Sequence, residues 1–215
     1  MLLNMVATVD GHVTLAGRSG SLGNRADREL FHALRTAVDA VMVGAGTART
    51  EGYGPLMRRP ELRAERVRRG LDPVPLAVIP TRRLDLPADL PLLADPDSRV
   101  LIITSTEAEI EGARASVEYL HSPTGSAPDL EGALGALADR GIRSVLCEGG
   151  PHLNGTLLAP GLVDEIFVSF SPKLAGGSPL TMVGGPALPE ALELELVWLL
   201  ESEGHLFARY ALGSR

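Results

Sequence analysis

Short apolar runs recur along residues 2 to 149, separated by polar or helix-periodic stretches. "LLNMVATV" (2–9) stops at Asp10-Gly11 and reads as a buried strand followed by a turn. Asn24 stands where a helix cap is needed, and Leu30, Phe31, Leu34 and Val38 follow at three-to-four spacing, which predicts an amphipathic helix over 26–37. "DAVMVG" (39–44) is the next strand and ends in glycine. "PLAVI" (75–79), "RVLIIT" (99–104) and "SVLCEG" (144–149) repeat the pattern, with "DLEGALGALADRG" (129–141) as an intervening helix. Strands alternating with helices predict an α/β protein with a largely parallel, buried sheet.

The C-terminal third changes rhythm. "DEIFVSFSP" (164–172) alternates, and "LELVWLLESEGHLFARYAL" (194–212) reads as two strands joined by a tight turn at Glu203-Gly204. The expected sheet is therefore mixed, with an antiparallel C-terminal edge. Its size, 215 residues, suits one domain, or one domain with a sizeable insertion. A net charge of −7 removes any global attraction to nucleic acid or to an anionic membrane, so a phosphate would need local arginines or backbone amides. No basic, apolar leader opens the chain, and no stretch approaches the ~20 apolar residues of a membrane span. A cytoplasmic protein with neither nucleic-acid nor membrane partner is expected. Cys147 is the only cysteine, so neither an internal disulfide nor a cysteine-rich metal site is available, and no other metal-ligand spacing occurs. The stretch "MRRPELRAERVRRG" (57–70) carries six arginines. It reads either as a solvated loop or surface helix, or as a source of Arg58 or Arg59 for a phosphate.

Two glycine turns remain as candidate chemistry. In "VMVGAGTARTEGYGP" (41–55) a strand runs into Gly44-Ala45-Gly46-Thr47, a loop without bulky side chains whose amides can approach a pyrophosphate at a helix start. The dinucleotide fingerprint G-x-G-x-x-G would need glycine where Arg49 stands, and the G-K-[ST] of a P-loop is absent. In "VLCEGGPHLNGTLL" (145–158) a second strand ends at Glu148-Gly149-Gly150, and Pro151 opens a helix-like segment. Ligands of open α/β sheets bind beyond the carboxyl ends of strands, so two such turns on one sheet point to a dinucleotide held between them. Plainer readings stand beside this one: Gly44 and Gly46 as turn residues, Glu148 as a turn cap, His152 as an ordinary helix-start residue. With no G-x-S-x-G elbow, hydride transfer is attractive because it needs positioning more than a nucleophile.

Taken together, "NMVATVDG" (4–11), "GRSGSLGN" (17–24), "ALRTAVDAVMVGAGTART" (33–50), "VLCEGGPHLNGTLL" (145–158) and "GLVDEIFVSFSPKLAGG" (161–177) resemble the reductase domain of riboflavin-biosynthesis proteins. The resemblance implies a dihydrofolate-reductase-like, three-layer α/β fold in one domain, with a mixed, mostly parallel central sheet and an antiparallel C-terminal edge. It implies an NADPH-dependent reductase that converts the ribosyl unit of a phosphoribosylaminopyrimidine to ribityl. In family chemistry the sugar ring opens to an imine-like form and hydride arrives at C1′. Cofactor positions fall on Gly44, Gly46, Thr47 and Glu51, on Thr81 and Arg82 (the latter reading the 2′-phosphate), and on Gly149, Gly150, Pro151, His152, Leu153, Asn154 and Gly155. Glu148 falls where the family contacts the pyrimidine, with a part in protonation. Ser19, Arg35 and Arg59 fall on substrate-contacting positions.

The family also suggests a homodimer, with the apolar C-terminal strands as interface. Two departures are visible. Asn4 replaces a lysine common near the start of the first strand, and the family's D-D-P after the glycine turn becomes "EGYGP" (51–55). The zinc-bearing deaminase domain that often accompanies the reductase is missing from the sequence, so a stand-alone reductase is expected. The alternatives are a reductase of a related heterocycle, such as dihydrofolate or a pterin, and a nucleotide-binding protein without catalysis.

Overall fold

Strand β4 (Arg99–Thr104) shows why the apolar runs become strands. Val100, Leu101, Ile102 and Ile103 are each no more than 1% exposed, so both faces of the strand are covered. Burying such side chains is worth roughly 1.5–3 kcal/mol apiece, which a single covered face could not supply. The computed structural model describes residues 1–123 and 127–213, and within them nine strands form a mixed sheet. Its contacts divide the chain into two compact units, Met1–Ala33 with Cys147–Arg215, and Leu34–Leu146.

The Leu34–Leu146 unit carries β2 (Ala40–Met42), α2 (Ala45–Glu51), α3 (Pro60–Arg68), β3 (Leu76–Pro80), β4, β5 (Ser116–His121) and α4 (Leu130–Asp139). It also carries the start of β6 (Val145–Cys147). The strand order is β5-β4-β3-β2-β6, and β2 with β3, β3 with β4 and β4 with β5 pair in parallel. Asp39 fixes the entry to β2. Its Oδ2 accepts from the amides of Arg143 and Ser144 and from the Ser144 hydroxyl, at 3.0, 2.9 and 2.7 Å. Burial raises the Asp39 pKa, but these hydrogen bonds outweigh it and hold the carboxyl below its usual range. Asp129 caps α4, its Oδ1 accepting from the Gly132 amide at 3.0 Å.

In the other unit β1 (Leu2–Thr8) lies parallel to β7 (Glu165–Ser171), in register from Leu2↔Glu165 to Thr8↔Ser171. Strand β9 (His205–Leu212) runs antiparallel to β7 and to β8 (Leu194–Ser202), in the order β1-β7-β9-β8. Glu203 (φ 53°) and Gly204 (φ 76°) make the hairpin turn, the pair of positive angles that a two-residue hairpin loop requires. Helix α1 (Arg25–Ala37) opens in this unit, where Asn24 Oδ1 accepts from the Asp27 amide at 2.9 Å. The long segment 172–193 is tied down at several points. The Asp10 carboxylate accepts from the amides of Ala175 and Gly176, and the Asn154 side chain donates to the Met182 carbonyl at 2.7 Å. A hydrogen bond from the Thr8 hydroxyl, joined by these amides, holds the Asp10 pKa far below the usual carboxylate value.

Three expectations change. The Gly44–Thr47 stretch is not a loop: Gly44 is the N-cap, and Gly46, Thr47 and Glu51 lie inside α2. Strand β5 was not expected, because the alternation of Ser116–Tyr119 is short and breaks at Leu120-His121. The arginine stretch forms α3, but it is not wholly a solvated face, since Arg66 is fully buried. Its Nη1 donates to the carbonyls of Arg35 and Val38, both at 2.6 Å, and its Nε donates to Asp72 at 2.8 Å. Arg66 thus satisfies carbonyls left open where α1 ends.

Candidate active site

Strand β2 is completely buried and delivers the chain to Gly44. No side chain caps α2 at Gly44, and a Cβ placed at the exposed Gly46 would meet nothing within 4 Å. Ala48, on the opposite side, is 0% exposed. The helix stops at Gly52 (φ 64°), and the Tyr53 amide donates back to the Ala48 carbonyl at 2.8 Å. This turn carries the "EGYGP" sequence to Arg35. The Arg35 guanidinium lies 5.7 Å from the centre of the Tyr53 ring, and its Nη1 donates to the Leu56 carbonyl at 3.1 Å. Arg35 is therefore a buried cation at the end of α1 whose direction is set by the departing loop. Arg59 begins α3 as its N-cap, with Nε 3.7 Å from Glu61.

Thr81 follows β3, and its hydroxyl accepts from the Leu84 amide at 3.1 Å. The loop so formed exposes Arg82 and Arg83, neither of which makes a hydrogen bond or ion pair among the described residues. Arg49, which disqualified the dinucleotide fingerprint, reaches from α2 to this loop. Its Nη1 contacts the Asp85 carbonyl at 2.8 Å and the Asp85 carboxylate at 2.7 Å. The unit thus joins α2 to Tyr53 and Arg35 through the Gly52 turn, and to the Thr81–Asp85 loop through Arg49.

In the other unit β6 ends at Cys147, 0% exposed, with Sγ 3.5 Å from Asn154 Oδ1. Burial pushes this thiol up to about 12, which rules it out as a nucleophile at neutral pH. Glu148 follows, 7% exposed. Gly149 has φ 83° and would place a Cβ 3.0 Å from Met5 Sδ, and the Gly149–Gly150 peptide is cis. Helix α5 (Pro151–Leu158) has Gly150 as N-cap, no side chain capping it, and proline in its first turn. Ser19 lies half-buried in the 11–24 loop, its carbonyl accepting from the Leu22 amide at 2.8 Å.

The stretch Gly150–Gly155 divides in two. Gly150, Pro151 and His152 are at least partly exposed, whereas Leu153, Asn154 and Gly155 are buried. A Cβ at Gly155 would fall 2.2 Å from the Gly184 carbonyl. Among the described residues no group of three His, Cys, Asp or Glu side chains could hold a metal ion. No described helix is long and apolar enough to cross a membrane.

Sequence reasoning missed Arg66 and the Arg49–Asp85 contact. Only the position of Arg49, five residues beyond the first glycine of its turn, hinted at the second.

Comparison with known proteins follows the same line. The chain is 30% identical over 202 residues to the 2,5-diamino-6-ribosylamino-4(3H)-pyrimidinone 5′-phosphate reductase of Methanothermobacter thermautotrophicus, covering 91% of this chain and 90% of that protein. The crystal structure of a pyrimidine reductase-like protein from Corynebacterium diphtheriae superposes with a TM-score of 0.87 at 27% identity, covering 100% of this chain and 92% of that one. A Thermotoga maritima deaminase/reductase shares the fold at a TM-score of 0.78 and 22% identity, over 99% of this chain and 56% of that one. These solved neighbours have the dihydrofolate-reductase-like architecture. Residues 1–205 match the RibD C-terminal domain, and the chain belongs to that family.

Proposed function

We propose that this protein is the riboflavin-pathway reductase, acting on a pyrimidine that carries a phosphoribosylamino group and using NADPH to turn the ribosyl unit into ribityl. The observation that carries the reading is the buried Glu148, seated between a fully buried strand and the uncapped start of α5, in a chain whose curated relatives are pyrimidinone phosphate reductases. Membership of a reductase family implies a nicotinamide cofactor, and the exposed Arg82 makes the phosphorylated form our choice. When bound, that cofactor supplies a hydride to C1′ of the ring-opened imine, whose nitrogen takes up a proton.

The chain's own residues position the reactants. Gly44, Gly46, Thr47 and Glu51 in α2, Thr81 and Arg82 beyond β3, and Gly149–Gly155 at the start of α5 hold the cofactor. Ser19, Arg35 and Arg59 hold the substrate. Glu148 contacts the pyrimidine and takes part in the proton step, and its burial keeps water from competing for that contact. We treat the chain as one functional domain, with no nucleic-acid partner and a cytoplasmic place of action.

Single-turnover NADPH oxidation tests the reading, with the phosphoribosylaminopyrimidine and dihydrofolate offered separately. Rapid oxidation with the first alone is expected; oxidation with dihydrofolate alone would replace this function with the related-heterocycle one. Glu148→Gln should lower turnover roughly hundredfold while NADPH affinity stays within about threefold. An equal loss of cofactor binding would make Glu148 structural.

We also propose that the protein is a homodimer joined through β8. Leu194, Leu196 and Leu199 pair with Leu212, Tyr210 and Ala208 on one face of the sheet and are each 40–52% exposed, an apolar patch that needs a cover. Sedimentation should give the mass of two chains, and a monomer at micromolar concentration would dismiss the interface.

A further inference from the structure

The Thr81–Asp85 loop is built more carefully than a surface connection requires. The Thr81 amide donates to the Ile103 carbonyl at 2.9 Å, so the loop leaves β3 in a fixed direction. Its hydroxyl then accepts from the Leu84 amide, closing a tight turn around Arg82 and Arg83. Leu84 adopts φ 53°, in the left-handed region that a leucine avoids unless its surroundings impose it. Two anchors impose it here. Leu86 is buried at 6%, and Asp85 is gripped through both its carbonyl and its carboxylate by one nitrogen of Arg49.

We infer that Arg49, clamped on Asp85, is a positioning residue that holds Arg82 and Arg83 ready for a 2′-phosphate and so sets this chain's preference for NADPH over NADH. The inference rests on the proposed role of Arg82. Its physical basis is preorganisation: two arginines on a free loop must be ordered when they bind an anion, whereas a loop already fixed at both ends loses less entropy. A single clamp tying α2 to this loop also links the glycine turn to the phosphate-reading arginines. The Arg49 and Asp85 side chains are 37% and 48% exposed, and so open a pair adds little to global stability. A change in cofactor preference on breaking it therefore cannot be blamed on unfolding.

The test is calorimetric titration of NADPH and of NADH into the purified full chain, which reads binding without turnover. Arg49→Met should weaken NADPH about fivefold, leave NADH within about twofold and move Tm by about 3 °C or less. Arg49→Lys, which can still donate to both Asp85 oxygens, should recover most of the loss. In an Arg82→Ala, Arg83→Ala background the Arg49→Met change should have no further effect on NADPH, since nothing remains for the clamp to position. Equal weakening of both cofactors, or an undiminished effect in that background, would overturn the positioning role. If Arg82→Ala itself leaves the preference intact, the 2′-phosphate assignment fails first. If Arg82→Ala costs NADPH about thirtyfold and Arg49→Met costs nothing, the clamp alone fails.

Discussion

The turns leaving β2 and β6 look alike in sequence, each an apolar strand running into glycines and then a helix, but their glycines answer different needs. After β2, Gly46 sits on the exposed side of α2 with open space where a Cβ would be. After β6, Gly149 and Gly155 stand against protein, the first beside Met5 Sδ and the second beneath the Gly184 carbonyl. The first turn keeps a surface clear, and the second lets two pieces of one chain close on each other. A glycine pattern alone carries both meanings. Only the neighbours tell them apart.

The largest effect should come from Gly155→Ala. The new Cβ would lie 2.2 Å from a backbone carbonyl, and that carbonyl belongs to a segment held by the Gly184 amide on Pro151 at 2.9 Å and by Asn154 on Met182. Backbone cannot swing aside as a side-chain tip can, so the segment must lift and surrender those bonds. A loss of about 3 kcal/mol is expected, read as a fall in Tm of about 8 °C. An unchanged Tm would place Gly155 with Gly46 and erase the contrast.

Gly149→Ala should cost less, about 1–2 kcal/mol. Its clash is with the end of a methionine, which can move, and what remains is the price of φ 83° for a residue with a Cβ. Adding Met5→Ala relieves the contact but not the backbone. If the double variant recovered more than half of the loss relative to Met5→Ala alone, packing and not backbone would be the reason for glycine here.

This contrast marks where the sequence was legible. Strand β4 was expected over 99–104 and occupies those residues, because both its faces are buried and its apolar run is unbroken. The Glu203-Gly204 turn, the Asn24 cap and the start of α5 at Pro151 were equally readable, each from chemistry local to a few residues. Arg66 was not readable. In α3 the fully buried position is an arginine while the neighbouring Val67 is 58% exposed, so the hydrophobic pattern points the wrong way. The partners that make burial tolerable, Arg35, Val38 and Asp72, are backbone carbonyls brought in by folding. Of the candidate site, the strand ends and helix starts were visible, but the Arg35–Tyr53 stack and the Arg49–Asp85 clamp join segments that have no mutual signature in sequence.

The smallest effect, and the one of opposite sign, should come from Gly46→Ala. Gly46 lies inside α2 with no positive φ and no neighbour for a Cβ to strike, so alanine removes the entropy cost of a helical glycine and meets no resistance. A gain of about 0.5–1 kcal/mol is expected, seen as a rise in Tm of about 2 °C. If the open space serves the approach of a cofactor, the same methyl group should weaken NADPH about tenfold, since it occupies surface the ligand must reach. Stability and binding would then move in opposite directions at Gly46 and fall together at Gly155, where displacing Gly184 also disturbs its contact with Pro151 at the start of α5. A Gly46→Ala protein that is more stable and binds NADPH as before would take the exposed side of α2 out of the cofactor site.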